Sequence, residues 1–238
     1  MGSEVDKSAL RVRRMFGQIA PRYDFVNHLL SLSIDRRWRR RAVRLVPPCG
    51  QEPILDVCTG TGDLALAYRR VADEATPIIA ADFCRPMLAV ASRKCRRLGA
   101  RGRVRLVEAD TLRLPFPDHA FQVVCVAFGL RNVADPDAGL AEMIRVCRVG
   151  GRVAVLEFSM ASVWPIRTLY RWYFQRLLPW IGQAVARNEE KAYNYLPASV
   201  GTFPEGEALA ERMRRAGLTN VWFAPLTFGI STLYVGEK

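Results

Sequence analysis

Apolar residues recur at helical spacing through the first fifth of the chain: Leu10, Met15 and Ile19, then Phe25, Leu29 and Leu30, then Trp38, Ala42 and Leu45. The spacing predicts helix across residues 6–46, stopped by Pro47-Pro48-Cys49-Gly50. The pattern then changes to short apolar runs separated by helical stretches. Residues 53–57, 77–81, 104–108, 121–128 and 151–158 read as strands, with 64–71, 86–98 and 136–147 as helices between them. The run at 121–128 is apolar almost without interruption, which suits a strand buried on both faces. This alternation predicts an α/β fold with a parallel, doubly wound, Rossmann-like sheet. It breaks at 159–188, a segment rich in Trp, Tyr, Phe and Arg that reads as an inserted helical cap. It resumes with a helix at 205–216, ended by Gly217. Runs at 220–224 and 230–235 predict a closing antiparallel hairpin, making seven strands in all. The expected organisation is a basic helical segment, 1–48, covering the site, and a sheet domain, 49–238, that carries the cap.

Composition narrows the class. With 238 residues, half of them apolar, the chain is expected to form one globular domain rather than to be disordered. No run approaches the roughly 20 apolar residues of a membrane-spanning helix. The first residues, Met-Gly-Ser-Glu-Val-Asp-Lys, lack the apolar core of an export signal, which points to the cytoplasm. Six cysteines include no Cys-x-x-Cys pair and have only His28 and His119 to join them, so reduced, mostly buried thiols are expected rather than a metal site. The net charge of +12 is unevenly spread. Residues 1–48 hold eleven Lys and Arg against four acids, a block that attracts phosphate groups on anionic lipid or nucleic acid.

Candidate chemistry gathers where the predicted strands end. Asp56 closes the first strand, and Gly60-Thr61-Gly62-Asp63 follows before a helix, so a tight glycine turn lies at the carboxyl edge of the sheet. Gly60-x-Gly62-x-x-Ala65 also satisfies the dinucleotide fingerprint, a weak signal alone. Asp56 and Asp63 favour the amino and sulfonium cations of S-adenosylmethionine and would repel a pyrophosphate. Asp82 closes the second strand, where an acid can take both ribose hydroxyls of either cofactor. Asp110, beyond the third strand, either caps its own turn or meets an adenine edge together with Thr111. Three acids at the ends of three successive strands are more specific than the glycines.

The chain from about Arg14 to Lys238 resembles the quinone-biosynthesis C-methyltransferases of the UbiE/MenG type. The resemblance is carried by Phe16-Gly17-Gln18-Ile19-Ala20-Pro21-Arg22-Tyr23-Asp24-Phe25-Val26-Asn27, by Leu30-Ser31-Leu32 with Trp38-Arg39, and by Phe128-Gly129-Leu130-Arg131-Asn132-Val133. Glu157-Phe158-Ser159, Tyr195-Leu196-Pro197-Ala198-Ser199, Phe203-Pro204 and Leu226-Thr227-Phe228-Gly229-Ile230 extend it through the chain. It implies a class I methyltransferase fold and C-methylation of a reduced polyprenyl quinone precursor, demethylmenaquinol in the first place and the ubiquinone-pathway benzoquinol as the alternative. The expected cofactor set is Asp56, Thr59, Gly60, Thr61, Gly62, Asp63, Asp82, Phe83, Asp110, Thr111 and Ala127, of which Thr61, Asp82, Asp110 and Thr111 carry over by the resemblance. Relatives often have Ser at position 127, so any side-chain bond made there is lost. They tend to have Gly where this chain has Ser33, which implies a differently shaped start to the basic helix.

Methylation of a ring carbon needs a phenolate. Ionising a phenol of pKa about 10 at neutral pH costs about 4 kcal/mol, and one adjacent cation supplies roughly one to three pKa units. Arg131 is the expected cation, with a solvent-facing ion pair as its alternative role. Tyr23 and Asn132 are candidates for orienting the ring or relaying the proton, and Asp24 for no more than a helix cap. His28 and His119 suggest no base, which leaves water to finish the proton transfer. Trp164, Tyr170, Trp172, Tyr173, Phe174 and Trp180, interleaved with Arg167, Arg171 and Arg176, suit an interfacial helix for the tail or a membrane, and equally a buried cap. The run Arg36-Arg37-Trp38-Arg39-Arg40-Arg41 is expected to meet anionic lipid, for peripheral contact with the inner face of the cytoplasmic membrane. An RNA methyltransferase lacks support, because neither an Asn-Pro-Pro-Tyr motif nor a catalytic cysteine setting is present, and no nucleic-acid partner is expected. A nicotinamide oxidoreductase rests on the glycines alone. Oligomeric state is left open.

Overall fold

The computed structural model describes residues 8–161, 164–173, 176 and 192–238. Five strands alternate with helices from the middle of the chain: β1 (Ile54–Val57), α4 (Asp63–Arg69), β2 (Ile78–Asp82), α5 (Arg85–Arg97), β3 (Val104–Glu108), β4 (Phe121–Ala127), α6 (Pro136–Val146) and β5 (Cys147–Phe158). After α9 (Glu207–Arg215), β6 (Thr219–Leu226) and β7 (Ser231–Glu237) complete a seven-stranded sheet of order β3-β2-β1-β4-β5-β7-β6. The first five strands are parallel; β7 runs antiparallel to both β5 and β6. Every residue of β1 is buried, as a central strand covered on both faces requires. Trp38, Leu64, Tyr68 and Cys95 fill one face of the sheet, and Leu140, Met143, Leu209 and Met213 fill the other. Each such aliphatic or aromatic side chain contributes about 1.5–3 kcal/mol by leaving water.

The predicted helix across 6–46 is three helices: α1 (Ala9–Ile19), α2 (Tyr23–Leu30) and α3 (Ile34–Leu45). Pro21, which has no N–H to continue the ladder, follows α1 directly. Leu32 (φ 49°) and Ser33 (φ 60°) are left-handed between α2 and α3, so the chain makes that turn without the glycine that φ favours. These helices lie over the carboxyl edge of the sheet, where Met15, Ile19, Val26 and Leu30 form a third, smaller core with Met87, Tyr195 and Val200.

Two elements depart from the predicted pattern. β5 begins at Cys147, four residues early, because the chain passes from α6 straight into the strand through an irregular register opposite Phe121. A helix, α8 (Ala192–Thr202), was not predicted and runs through Pro197. In the cap, α7 (Ile166–Trp172) is helical; Phe174 and Trp180 lie outside the described residues. Among the described residues, no helix is long and apolar enough to cross a membrane.

Candidate functional site: two chambers with a common wall

Beyond β1 the chain turns through Cys58 (φ 48°), Gly60 (φ 57°) and Gly62 (φ 82°) into α4. The turn closes against the end of β4. A Cβ on Gly129 would collide with the Cβ of Cys58, so glycine is required there. A Cβ on Gly60 would meet nothing within 4 Å, which leaves open space above the loop. A Cβ on Gly62 would stand 3.3 Å from that of Ala91, so this glycine allows close packing of α4 on α5. Gly62 is not among the residues that line the cleft. Asp56, Thr59, Gly60, Thr61, Asp63, Asp82, Phe83, Asp110, Thr111 and Ala127 all do.

The acids are less free than the sequence suggested. Asp56 is buried and accepts from the Thr59 hydroxyl at 2.5 Å and the Ala65 N–H at 3.0 Å, so it shapes the loop. Burial pushes its carboxyl up to about 7. Asp63 is ion-paired with Lys94 of α5; burial works against its ionisation, but Arg39 and Lys94 outweigh it and hold the carboxyl below its ordinary value. Asp56 and Asp63 thus both have partners within the protein while lining the cleft. Asp82 accepts one backbone N–H on each oxygen, from Gly60 at 2.7 Å and Cys84 at 2.8 Å, and burial raises it to about 6. Asp110 accepts from Leu112 N at 2.9 Å, capping its own turn while lining the cleft. Thr111 bonds Cys58 Sγ at 3.2 Å. The Thr61 hydroxyl donates to Asp24 at 2.5 Å, and Lys94 also meets Asp24 at 2.8 Å. Asp24 is thus more than a helix cap: it ties α2 to the cofactor loop.

Beside the cleft lies an apolar chamber of about 630 Å³, lined by Met15, Ile19, Leu30, Trp38, Phe158 and Tyr173 among others. Cleft and chamber share a wall of Phe16, Tyr23, Arg39, Phe128 and Asn132. Phe128, left-handed at φ 61°, stacks on Phe158 with ring centroids 4.4 Å apart. Arg131 lines the chamber but is not solvent-facing: it is 4% exposed. Its Nη1 donates at 2.6 Å to both Glu157 Oε2 and the Phe128 carbonyl, while its Nε is buried without a partner. Asn132 donates from Nδ2 to the Phe128 carbonyl at 3.3 Å, and its Oδ1 likewise has no partner. Tyr23 is half-buried; desolvation raises its phenol against the pull of Arg131 and Arg39, so it stays protonated at neutral pH.

Sequence reasoning missed Glu157, Asp35, His28 and Arg39. Asp35, 3% exposed, accepts from Ser31 Oγ at 2.8 Å and Arg39 Nη1 at 2.6 Å and contacts His28 Nδ1 at 3.0 Å. Burial alone would raise its carboxyl, but the Arg39 charge holds it below its ordinary value. His28, expected in an unconstrained setting, is held by this acid. Arg39, assigned with the lipid-facing run, turns inward instead, with its side chain 11% exposed. The i, i+4 spacing of Asp35 and Arg39 was the available signal.

The sequence of residues 4–238 matches the model of the ubiE/COQ5 methyltransferase family. Demethylmenaquinone methyltransferase of Thermus thermophilus is 49% identical over 224 residues, covering 94% of this chain and all of that protein. The enzyme of the same name from Deinococcus radiodurans is 45% identical, covering 100% of this chain and 96% of its own length. Ubiquinone/menaquinone biosynthesis C-methyltransferase UbiE of Geobacter sulfurreducens is 43% identical, covering 96% and 88%. Among solved structures, a SAM-dependent methyltransferase from Aquifex aeolicus superposes with a TM-score of 0.64 at 15% identity, covering 90% of this chain and 96% of that one, a likeness of fold. With the glycine loop, the acid-ended strands and matches along nearly its whole length, the chain belongs to the ubiE/COQ5 methyltransferase family.

Proposed function

We propose that the protein transfers the methyl group of S-adenosylmethionine to a ring carbon of demethylmenaquinol. The observation that carries this reading is the apolar chamber opening against the loop cleft, with an unpaired N–H donor and an unpaired oxygen acceptor beside their common wall. The names of the relatives supply the acceptor class. The cleft suits the cofactor chemically. Each Asp82 oxygen accepts one backbone N–H and keeps a lone pair for a ribose hydroxyl, and the space over Gly60 admits a ligand close to backbone. At about 80 Å³ the cleft is tight beside the roughly 300–1,000 Å³ of small-molecule sites.

When bound, the cofactor supplies an electrophilic methyl carbon. The protein's task is to present an ionised quinol to it. Asn132 Oδ1 accepts from one phenolic O–H of the ring, and Arg131 Nε donates to that oxygen, which holds the ring in register. Tyr23, held as a phenol, packs at the wall and orients the ring. Glu157 fixes Arg131 and leaves the Nε–H for the acceptor. The apolar lining of the chamber lowers the local dielectric, which strengthens each of these interactions, and near-attack positioning supplies much of the remaining rate. Leu29, Leu32, Leu169 and Trp172 line the chamber yet are exposed, Leu32 by 80% and Leu169 by 68%, so they form its mouth. With Arg36, Arg37 and Arg40 exposed nearby on α3, this mouth suits peripheral contact with an anionic membrane through which the polyprenyl tail enters.

The test is an assay with labelled methyl donor and reduced demethylmenaquinone or the ubiquinone-pathway quinol side by side. Arg131→Ala is expected to lower turnover by about 100-fold or more, as loss of a donor that positions the reacting ring does, with cofactor affinity nearly unchanged. Equal losses in turnover and cofactor affinity would move Arg131 to a structural role, and a wild type inactive on both quinols would sink the reading.

A further inference from the structure

We propose that Arg39 is a second catalytic cation, donating to the acceptor oxygen next to the carbon that is methylated. The inference rests on the quinol reading above. Among the described residues, Arg39 is the one cation that lines both the cofactor cleft and the apolar chamber; Arg131 lines the chamber alone. Methyl transfer joins a carbon in one to a methyl group in the other. A cation bordering both is therefore closest to the ring oxygen adjacent to the reacting carbon.

The wiring of Arg39 suits that task. Among the described residues its single hydrogen bond runs from Nη1 to Asp35, which leaves its other N–H groups for a ligand. Its guanidinium carbon sits 5.4 Å from the centroid of Phe128, the ring in the common wall. Asp35 is itself immobilised by Ser31 and His28, which fixes the arginine from behind. His28, Asp35 and Asp63 bring their ligand atoms within 4.8 Å of one another, and Arg39 pairs with Asp35 and feels the charge of Asp63. This concentrated negative charge keeps the guanidinium in place at the wall.

A quinol carries two hydroxyls across the ring from each other, and the two arginines divide them. Arg131, carried on the far member of the Phe128–Phe158 stack with its guanidinium carbon 5.2 Å from the Phe158 centroid, meets the distal oxygen. Arg39 meets the proximal one. In the step itself, the proximal O–H gives its proton to water. The ring carbon's electron pair then forms the bond to the methyl carbon, and the carbon–sulfur bond breaks with its pair going to sulfur. Water takes the proton from the methylated ring carbon, which restores aromaticity and leaves a phenolate, and the proximal oxygen takes one proton back from water. The products are the methylated quinol, the neutral thioether and one net proton.

The experiment compares wild type, Arg39→Lys and the double variant Arg39→Met/Asp35→Asn, which removes the ion pair together and leaves Asp63 its partner Lys94. The readouts are kcat and KM for the quinol across pH, with S-adenosylmethionine affinity measured separately by calorimetry. The double variant is expected to lose about 100-fold or more in kcat and to keep cofactor affinity within about threefold. Its kcat should rise only at a pH one to three units higher, since a phenol without its cation ionises later. Arg39→Lys should keep the wild-type pH profile with a smaller loss, and it decides the matter if the double variant fails to fold: a lysine profile displaced as far as expected for a missing cation would overturn the assignment. An unmoved profile in a folded double variant, or a loss confined to cofactor affinity, would also overturn it and make Arg39 an anchor of α3. If wild type methylates neither quinol, the functional reading fails first and this assignment with it; wild-type turnover alongside an unaffected double variant refutes Arg39 alone.

Discussion

Asp82 illustrates how much a single carboxyl depends on its surroundings. Its place at the end of β2 marked it as a ribose ligand, but burial also raises it to about 6. A ribose hydroxyl bonds the ionised form, so the proton competes with the cofactor. At pH 8 the group is ionised in the free protein. At pH 5, one unit below its pKa, binding is expected to be about tenfold weaker. Calorimetry at the two pH values checks this, with Asp82→Asn as control: its affinity should be low at both, and a tenfold change persisting in the variant would assign the effect to Asp56, which titrates nearby at about 7. Arg39 and Arg131 show the same dependence in another form. Both were visible as arginines, yet only packing decides which nitrogen atoms are taken by Asp35 and Glu157 and which face a ligand.

At the scale of elements, the contact between the ends of β1 and β4 governs the cofactor loop. Gly129→Ala forces a methyl group against Cys58, whose own left-handed backbone leaves it little room to shift. We expect a loss of about 2 kcal/mol or more, as overpacking produces, together with weaker cofactor binding. Thermal melts and calorimetry measure the two effects, and an unchanged melting temperature would contradict the packing argument. The strands and the helices between them were legible in the sequence because period and composition agree there. The breaks within 6–46 were harder to see. The turn at Leu32 and Ser33 uses left-handed residues without glycine, so no local signal announces it. In α8, Pro197 interrupts the backbone ladder, whereas Tyr195, Ser199 and Val200 are buried within the helical layer. Burial there outweighs the lost backbone bond. The hairpin was expected, but not that β7 would insert between β5 and β6. β7 is buried at all but its last residue while β6 is half exposed, and that difference selects the inner position.

For the whole molecule, the exposed apolar mouth and the basic face of α3 form one candidate membrane surface. Each Arg near an anionic surface contributes about 1 kcal/mol, so Arg36→Gln/Arg37→Gln/Arg40→Gln should weaken binding to phosphatidylglycerol-containing vesicles on the order of 100-fold at low salt. Sedimentation with vesicles measures it, and unchanged binding would remove the membrane from the proposal. The same basic run shows how far the sequence reached. Hydrophobic period determined the α/β class, the order of elements and the loop at the carboxyl edge, because each depends on residues close together in the chain. The acids at the strand ends were also legible, since strand ends in a parallel sheet converge on one edge. Which charges are available to a ligand was decided only by the tertiary structure. Asp24 reaches Thr61 across 37 positions, Arg131 reaches Glu157 across 26, and Arg39 turns inward from a run of exposed arginines. Charge pairing and burial depend on neighbours brought together by folding, and a one-dimensional pattern does not contain them.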